Sequence, residues 1–476
     1  MQKLNANMVI IGGGGAGLAA ALTAIDKGLK DIIIVEKRFT VGGNSSMAGG
    51  MIFAAESKHQ KEAGAVVDRD EVFKETMAFH HYDRVNPHIL RAFINKSAST
   101  IDWLESLGLP FEWRGRVHVL KGTTTPFGGF SRATKVMAEK ITSAGGKILT
   151  NTAAKRILRS SDGKIIGVTA VTKEEQEIQI NTNTVVITTG GFTGNENLLR
   201  KYFPHQWDNV YWTDAIPLDG DGITLAGTAG AALEDYSTLI KENGYCFGKS
   251  GKLPNRIHME EGAVWVNKYG RRYIDETVFG NEGANALVAQ PGKIAFALFD
   301  DRLIQKVNDR PNPMVSLHET PGKSPSLRDI LQSEAKEGVW CKIADDWTEI
   351  ARWIGADPAV LKATVNEYNA FCERGRDELF ARDPRTLYPL AVPPFYAVKF
   401  RPLMIDTVGP VRINEYMQVL DREDNPIPGL YAAGVITSGW QGHDYHLFGS
   451  ALGYSLTSGR IAGENAAKFC LKAARG

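Results

Sequence analysis

The sequence predicts an α/β fold built on a Rossmann-like parallel sheet, and three observations predict it. Two short, wholly apolar runs, Met8 to Ile11 and Ile32 to Val35, have the length and composition of strands buried on both faces. Between them lie a glycine cluster, Gly12 to Gly17, and an Ala/Leu-rich helix closed by Gly28. The second run ends on an acid, Glu36. Strand, glycines, helix, strand and acid in that order make a nucleotide cradle.

Each piece of the cradle has a task. Gly12, Gly14 and Gly17 satisfy GxGxxG. Gly12 permits the tight turn, Gly14 lets backbone approach a pyrophosphate, and Gly17 lets helix and strand pack closely. Gly15 and Ala16 open the helix, whose exposed N–H groups face the phosphates. Glu36, about 20 residues past the last glycine, is placed to hold a ribose hydroxyl pair and disfavours a 2′-phosphate.

The next segment separates two dinucleotides. Glu36 is followed at once by "KRFTVGGNSSMAGGM", which brings Lys37, Gly43, Asn44, Ser45, Gly49 and Gly50 to the cradle. A plain NAD site has no use for a second Gly/Ser/Asn-rich loop. FAD does, because its ribityl chain and ring run further into the protein. Two later strands return to the same place. "TVVITTGGF" ends on Thr189 and Gly190, and "GLYAAG" ends on Gly434. No second GxGxxG stands in a strand–helix context, so a built-in NAD(P)H site is not predicted.

Composition sets the remaining bounds. A chain of 476 residues is long for one core and predicts at least two domains. A net charge of +1 offers no field for nucleic acid or an anionic membrane. The four cysteines, Cys246, Cys341, Cys372 and Cys470, are widely spaced and form neither a zinc site nor a disulfide framework. No signal segment and no membrane-length apolar run is read, so the expected location is the cytoplasm.

Beyond Ala232 the nucleotide pattern stops. "GAVWVNKYGRRYIDE" reads as β-structure with a turn at Tyr269-Gly270. A helix is expected from Pro358 to Cys372, and the proline-rich "RDPRTLYPLAVPPF" reads as a linker back. Together with "VIIGGGGAGLAAA", "IDWLESLGLPF", "DGDGITLAGTAGA" and "IPGLYAAG…GSALGYSLTSGRIAGENAA", these segments resemble the fumarate reductase/3-ketosteroid dehydrogenase flavoproteins along nearly the whole chain. The resemblance implies a discontinuous FAD-binding domain, residues 1–238 and 378–476, with an inserted α+β capping domain over residues 239–377. It places the substrate between cap and flavin.

Within that family, fumarate-reducing members hold a dicarboxylate with cations. The resemblance puts their proton-donating arginine at Gly280 and their cap histidine near Asn243-Gly244. Their C-terminal His-Gly falls at Gln441-Gly442 and their last arginine at Tyr445 or His446. A dianion needs paired cations to offset its desolvation, so fumarate and succinate are disfavoured.

The 3-ketosteroid 1-dehydrogenases instead carry a tyrosine four residues before a glycine, whose phenol and backbone N–H bind the substrate carbonyl. Tyr445 and Gly449 have that spacing, although the Pro-Gly after the family's tyrosine is His446-Leu447 here. Removing a proton next to C=O builds charge on the oxygen, and two donors aimed at it form an oxyanion hole. A helix expected from Ser450 to Glu464 begins at this point. Its N-terminal dipole suits both the enolate and a reduced flavin edge, which brings Ser450 and Leu452 to the cofactor. Trp113 and His446 are candidates to line the substrate site. Tyr245 is the candidate base for the α-proton, with Tyr273 as the alternative, and Arg271 and Arg272 are expected to pair with nearby acids.

Three functions follow. The first is an FAD-dependent interconversion of a cyclic or steroid-like ketone and its enone, with non-covalent FAD and an external electron partner such as a quinone. The second is an ene reductase for an unsaturated mono-acid or aromatic acid, using His446 and a cap arginine. The third is a non-catalytic flavin electron carrier.

Overall fold

The structure is a computed structural model that describes residues 2–123, 129–206, 211–212, 216, 218–246, 257–278, 280–308 and 326–473. The chain divides into two compact units: residues 1–204, 214–240 and 406–476, and residues 205–213 and 241–405.

The first unit is organised by a six-stranded sheet. Its order is Gln418–Leu420, Pro426–Ala432, Val185–Ile187, Met8–Ile11, Ile32–Val35, Lys147–Leu149. The pairs along Pro426–Ala432, Val185–Ile187, Met8–Ile11, Ile32–Val35 and Lys147–Leu149 are parallel, and Gln418–Leu420 adds antiparallel at the edge. Both predicted strands fall on their predicted residues and are buried throughout.

The helix Gly15–Asp26 returns across this sheet and packs on the C-terminal helix Ser450–Ala473. The packing is close because Gly459 and Gly463, one turn apart, lie on the carbonyls of Ala16 and Ala20; a Cβ at either would overlap that oxygen. The C-terminal helix runs nine residues beyond the predicted Glu464, carried by an apolar face that includes buried Ala466, Ala467 and Cys470. A four-stranded sheet (order Gln2–Asn5, Glu177–Asn181, Ile165–Thr172, Thr152–Arg159) and a three-stranded sheet (order Met51–Ile52, His118–Leu120, Phe111–Trp113) complete the unit.

The second unit is built on Val264–Asn267, Ala295–Phe299 and residues 395–405 of the long strand Phe395–Val408, which pair antiparallel; Cys341–Ala344 also pairs with the long strand. The helix Pro358–Arg374 buries Leu361, Val365, Tyr368 and Phe371. The compact units differ from the bounds read from the sequence at three stretches. Residues 205–213 and 378–405, assigned there to the nucleotide domain, fall in the second unit, where Phe395–Phe400 pairs with Ala295–Phe299, and residues 239–240 fall in the first. A buried charge cluster anchors this unit. Arg272 makes paired 2.9 Å bonds to Glu276 and a 2.8 Å bond to Asp377, and Arg382 bonds Glu276 at 2.9 Å. Arg272 is therefore structural, as expected.

Candidate functional site: a dinucleotide cleft and the loop before the last helix

The cradle closes as the glycines require. Gly12 has φ +104°, and a Cβ there would stand 2.6 Å from the Thr188 carbonyl. A Cβ on Gly17 would overlap the Gly12 carbonyl, so the helix meets the turn only as glycine. Gly14, by contrast, faces space: its Cβ would have only Thr188 O, at 4.0 Å. The N-cap residue Gly14 has no side chain to cap the helix and no acid stands in its first turn, so its positive end favours a ligand anion.

An open cleft lies at this point. Its walls include Gly12, Gly14, Gly15, Ala16, Glu36, Lys37, Gly43, Asn44, Ser45, Thr189, Gly190 and Gly434, all of them candidates from the sequence. Ser45 Oγ accepts the Gly15 N–H at 3.2 Å and ties the second loop to the first. The Thr189 hydroxyl oxygen is buried with no partner among the described residues, as a cofactor-binding group would be before its ligand arrives. The residues present therefore fit a flavin dinucleotide.

Several placements refine the sequence reading. Glu36 already accepts two backbone N–H groups, from Gly13 at 2.8 Å and Arg38 at 2.9 Å, so it shapes the turn as well as facing the cleft. Lys37 is held by Asp219 at 2.6 Å and Asp221 at 2.9 Å. Gly49, Gly50, Ser450 and Leu452 lie outside this cleft's lining. Ser450 is fully buried and gives its hydroxyl to the His446 carbonyl at 2.9 Å, and Leu452 is buried as well. Sequence reasoning missed Asp406, Ile216 and Leu218, which also line the cleft. Asp406 stands far from every glycine motif and has no local signal.

The loop before the last helix is held by Gln441. Its amide accepts the His446 N–H at 3.1 Å and donates to the His446 carbonyl at 3.0 Å. Leu447 takes φ +63°, so a leucine occupies a left-handed turn residue where the family has glycine. Gly449 follows at φ +81° and its carbonyl accepts the Phe53 N–H at 3.1 Å. The Tyr445 hydroxyl accepts the backbone N–H of Ala451 at 3.0 Å, in the first turn of the C-terminal helix.

The other candidates are placed as follows. The His446 ring stacks on Phe79, with centroids 4.2 Å apart, and burial pulls its pKa below the usual histidine value. His443 pairs with Asp83 at 2.8 Å on an exposed face. Trp113 is half-buried beside the buried His118 ring, 5.1 Å away. Tyr245 ends the strand Thr238–Tyr245, and its side chain lies outside the described residues. Tyr273 is buried, and burial and Glu276 push its phenol well up. Gly280, where the resemblance places a proton-donating arginine, adopts φ +83° and starts the helix Asn281–Val288.

These features define a flavin-dinucleotide-binding protein. Residues 7–452 match the FAD binding domain family, and the chain belongs to it. The NADH:fumarate oxidoreductase of Klebsiella pneumoniae is 29% identical over 97% of this chain and 48% of its own length, so the chain spans about half of that relative. The vinyl phenol reductase of Lactiplantibacillus plantarum is 28% identical over 97% of this chain and 96% of its own. A 3-ketosteroid-Δ4-(5α)-dehydrogenase from Rhodococcus jostii, solved with 4-androstene-3,17-dione, superimposes with a TM-score of 0.78 at 22% identity, covering 98% of each chain, and shares the fold. The expected superfamily is thus confirmed. Among the described residues no helix is long and apolar enough to cross a membrane.

Proposed function

We propose that the chain is an FAD-dependent oxidoreductase acting on a C=C bond conjugated to an uncharged oxygen, the ketone/enone pair being its simplest form. The observation that carries this reading is the Tyr445 hydroxyl, fixed by the Ala451 N–H at the start of the Ser450–Ala473 helix. That bond orients the phenol, polarises its O–H and strengthens it as a donor. The helix N-terminus adds a field that favours negative charge on a substrate oxygen. Tyr445, with the Gly449 N–H as its companion, thereby stabilises the enolate-like oxygen that forms when the α-proton moves. Bound flavin supplies the two-electron chemistry at the β-carbon, and an external donor or acceptor, a quinone or another redox partner, sets the direction.

The charge pattern supports an uncharged substrate. Gly280 and Gln441 stand where dicarboxylate-binding cations are expected, and His446 is held toward its neutral form. A vinyl phenol carries a conjugated oxygen and no carboxylate, so the full-length relative of that name fits the same scheme. The competing reading, an ene reductase for an unsaturated acid, is supported by the relative named for fumarate. The FAD is non-covalent in this proposal, because the loop after Glu36, Val41 to Gly50, holds no histidine and no His, Cys or Tyr lines the cleft among the described residues. Anaerobic titration decides the matter. Photoreduced protein mixed with an enone, a vinyl phenol or fumarate should be reoxidised by the first two. Reoxidation by fumarate alone overturns the proposal, and no response to any C=C substrate assigns the chain to electron transfer.

A further inference from the structure

One acid in the cofactor cleft is bonded by no cation among the described residues. Asp406 is 7% exposed and shares the cleft wall with Asn44, Gly190 and Gly434. Its Oδ2 accepts the Asn44 side-chain N–H at 3.0 Å, and its Oδ1 accepts the Thr407 backbone N–H at 2.8 Å. Gly191 packs against it so closely that a Cβ there would lie 2.6 Å from Oδ1. None of the other charged groups on the cleft wall pairs with it. Lys37 is held by Asp219 and Asp221 and Glu36 accepts two backbone N–H groups, while the Arg38 side chain, the remaining cation of the wall, is bonded to no acid among the described residues, Asp406 included. Burial pushes the Asp406 carboxyl up to about 6, against the pull of Asn44 and Thr407.

FAD brings a dianionic pyrophosphate into this cleft and removes water from it. Both changes act against a carboxylate and in favour of its acid. We infer that Asp406 is a proton-linked cofactor-binding group: it holds FAD as the neutral acid, giving its O–H to the cofactor, and FAD uptake moves one proton from solvent onto it whenever it starts as the carboxylate. Linkage fixes the sign. FAD affinity is constant below the pKa of the cofactor-free protein, about 6, and falls as pH rises above it, by up to about tenfold per pH unit.

The test uses the full chain. Protein stripped of flavin is titrated with FAD by calorimetry near neutral pH, in two buffers of different ionisation enthalpy. Uptake approaching one proton per FAD is expected, and none overturns the inference. Dilution of the holoprotein, read by the fluorescence of released flavin, should give a dissociation constant at least about tenfold larger at pH 8 than at pH 6. Asp406→Asn, which copies the neutral acid in shape, should bind FAD with no pH slope and more tightly than the parent at pH 8. A slope kept in Asp406→Asn assigns the proton elsewhere and overturns the inference. Should that variant fail to fold, Asn44→Ala serves in its place. It removes a donor that favours the carboxylate, so it should move the midpoint of the pH dependence upward, and an unmoved midpoint counts against Asp406.

Discussion

Tyr445→Phe separates the chemical from the structural role of the loop before the last helix. The substitution keeps the ring and deletes one oxygen, which accepts a 3.0 Å bond from the Ala451 N–H. For the folded state that is one partly buried hydrogen bond, worth about 1 kcal/mol. In a chain this long the melting temperature should fall by only about 2 °C. For catalysis the same oxygen is asked to meet a developing oxyanion, where loss of one donor costs about 2.7–4 kcal/mol, or roughly 10²–10³ in kcat. The loss should fall on kcat more than on KM, because the bond strengthens as charge builds on the substrate. The assay is steady-state turnover of whichever enone or vinyl phenol reoxidises the reduced protein, alongside a thermal melt and a flavin spectrum. Turnover within a few-fold of the parent would refute the oxyanion role and leave Tyr445 as a cap on the helix. Gly449→Val is a poor companion test, since a Cβ there meets Phe53 N at 3.0 Å and Val117 at 3.1 Å and so disturbs the protein itself.

Three further outcomes are expected. Glu36→Ala should lower FAD occupancy, costing about 1.5–3 kcal/mol for the charge-assisted bond to the ribose; unchanged occupancy after gel filtration would remove that assignment. Glu276→Gln strips the partner of Arg272 and Arg382, both 1% exposed at their side chains, and should cost about 3–5 kcal/mol in a denaturant melt. Glu464 is half-buried; burial raises its carboxyl, but Lys96 at 2.9 Å and Lys27 at 3.1 Å outweigh that and hold it down to about 2. Its stabilisation is present above the unfolded carboxyl value and drains away as pH falls from about 4.5 to 2. A pH series of melts should therefore show a gap between parent and Glu464→Gln that closes in that window.

How far the site could be read from sequence depended on how local its cause was. Met8–Ile11, Ile32–Val35 and the glycines between them are dictated by burial and by contacts within one turn, and their positions were legible to the residue. The long strand Phe395–Val408 was not. The Pro-rich run before it reads as a linker, and its pairing with Ala295–Phe299 and Cys341–Ala344 shows that residues 395–405 belong to the second unit. Asp406 was missed because its meaning comes from Asn44, 362 residues away. His446 was legible as an imidazole at the right place, but its charge depends on Phe79 and on burial, which no motif encodes. Thr437 and Ser438, the hydroxyls that follow Gly434 in sequence, are turned inward to the Gly434 and Val411 carbonyls.

The loop from Gly439 to Gly453 preserves a shape while giving up charge. Where dicarboxylate binders carry a His-Gly, Gln441 is buried and spends its amide on both backbone groups of His446. That brace supports a left-handed Leu447, a conformation that costs an L-residue about 1–2 kcal/mol and that a glycine would adopt without strain. A turn that keeps its form without the residue best suited to it is being held by its neighbours. What the brace presents is Tyr445 at a helix N-terminus, a neutral donor backed by a positive field. Two cations would bind a dicarboxylate in its ground state and transition state alike. A neutral donor gains most where charge is still forming, which suits a substrate whose oxygen becomes negative only as the C–H bond breaks.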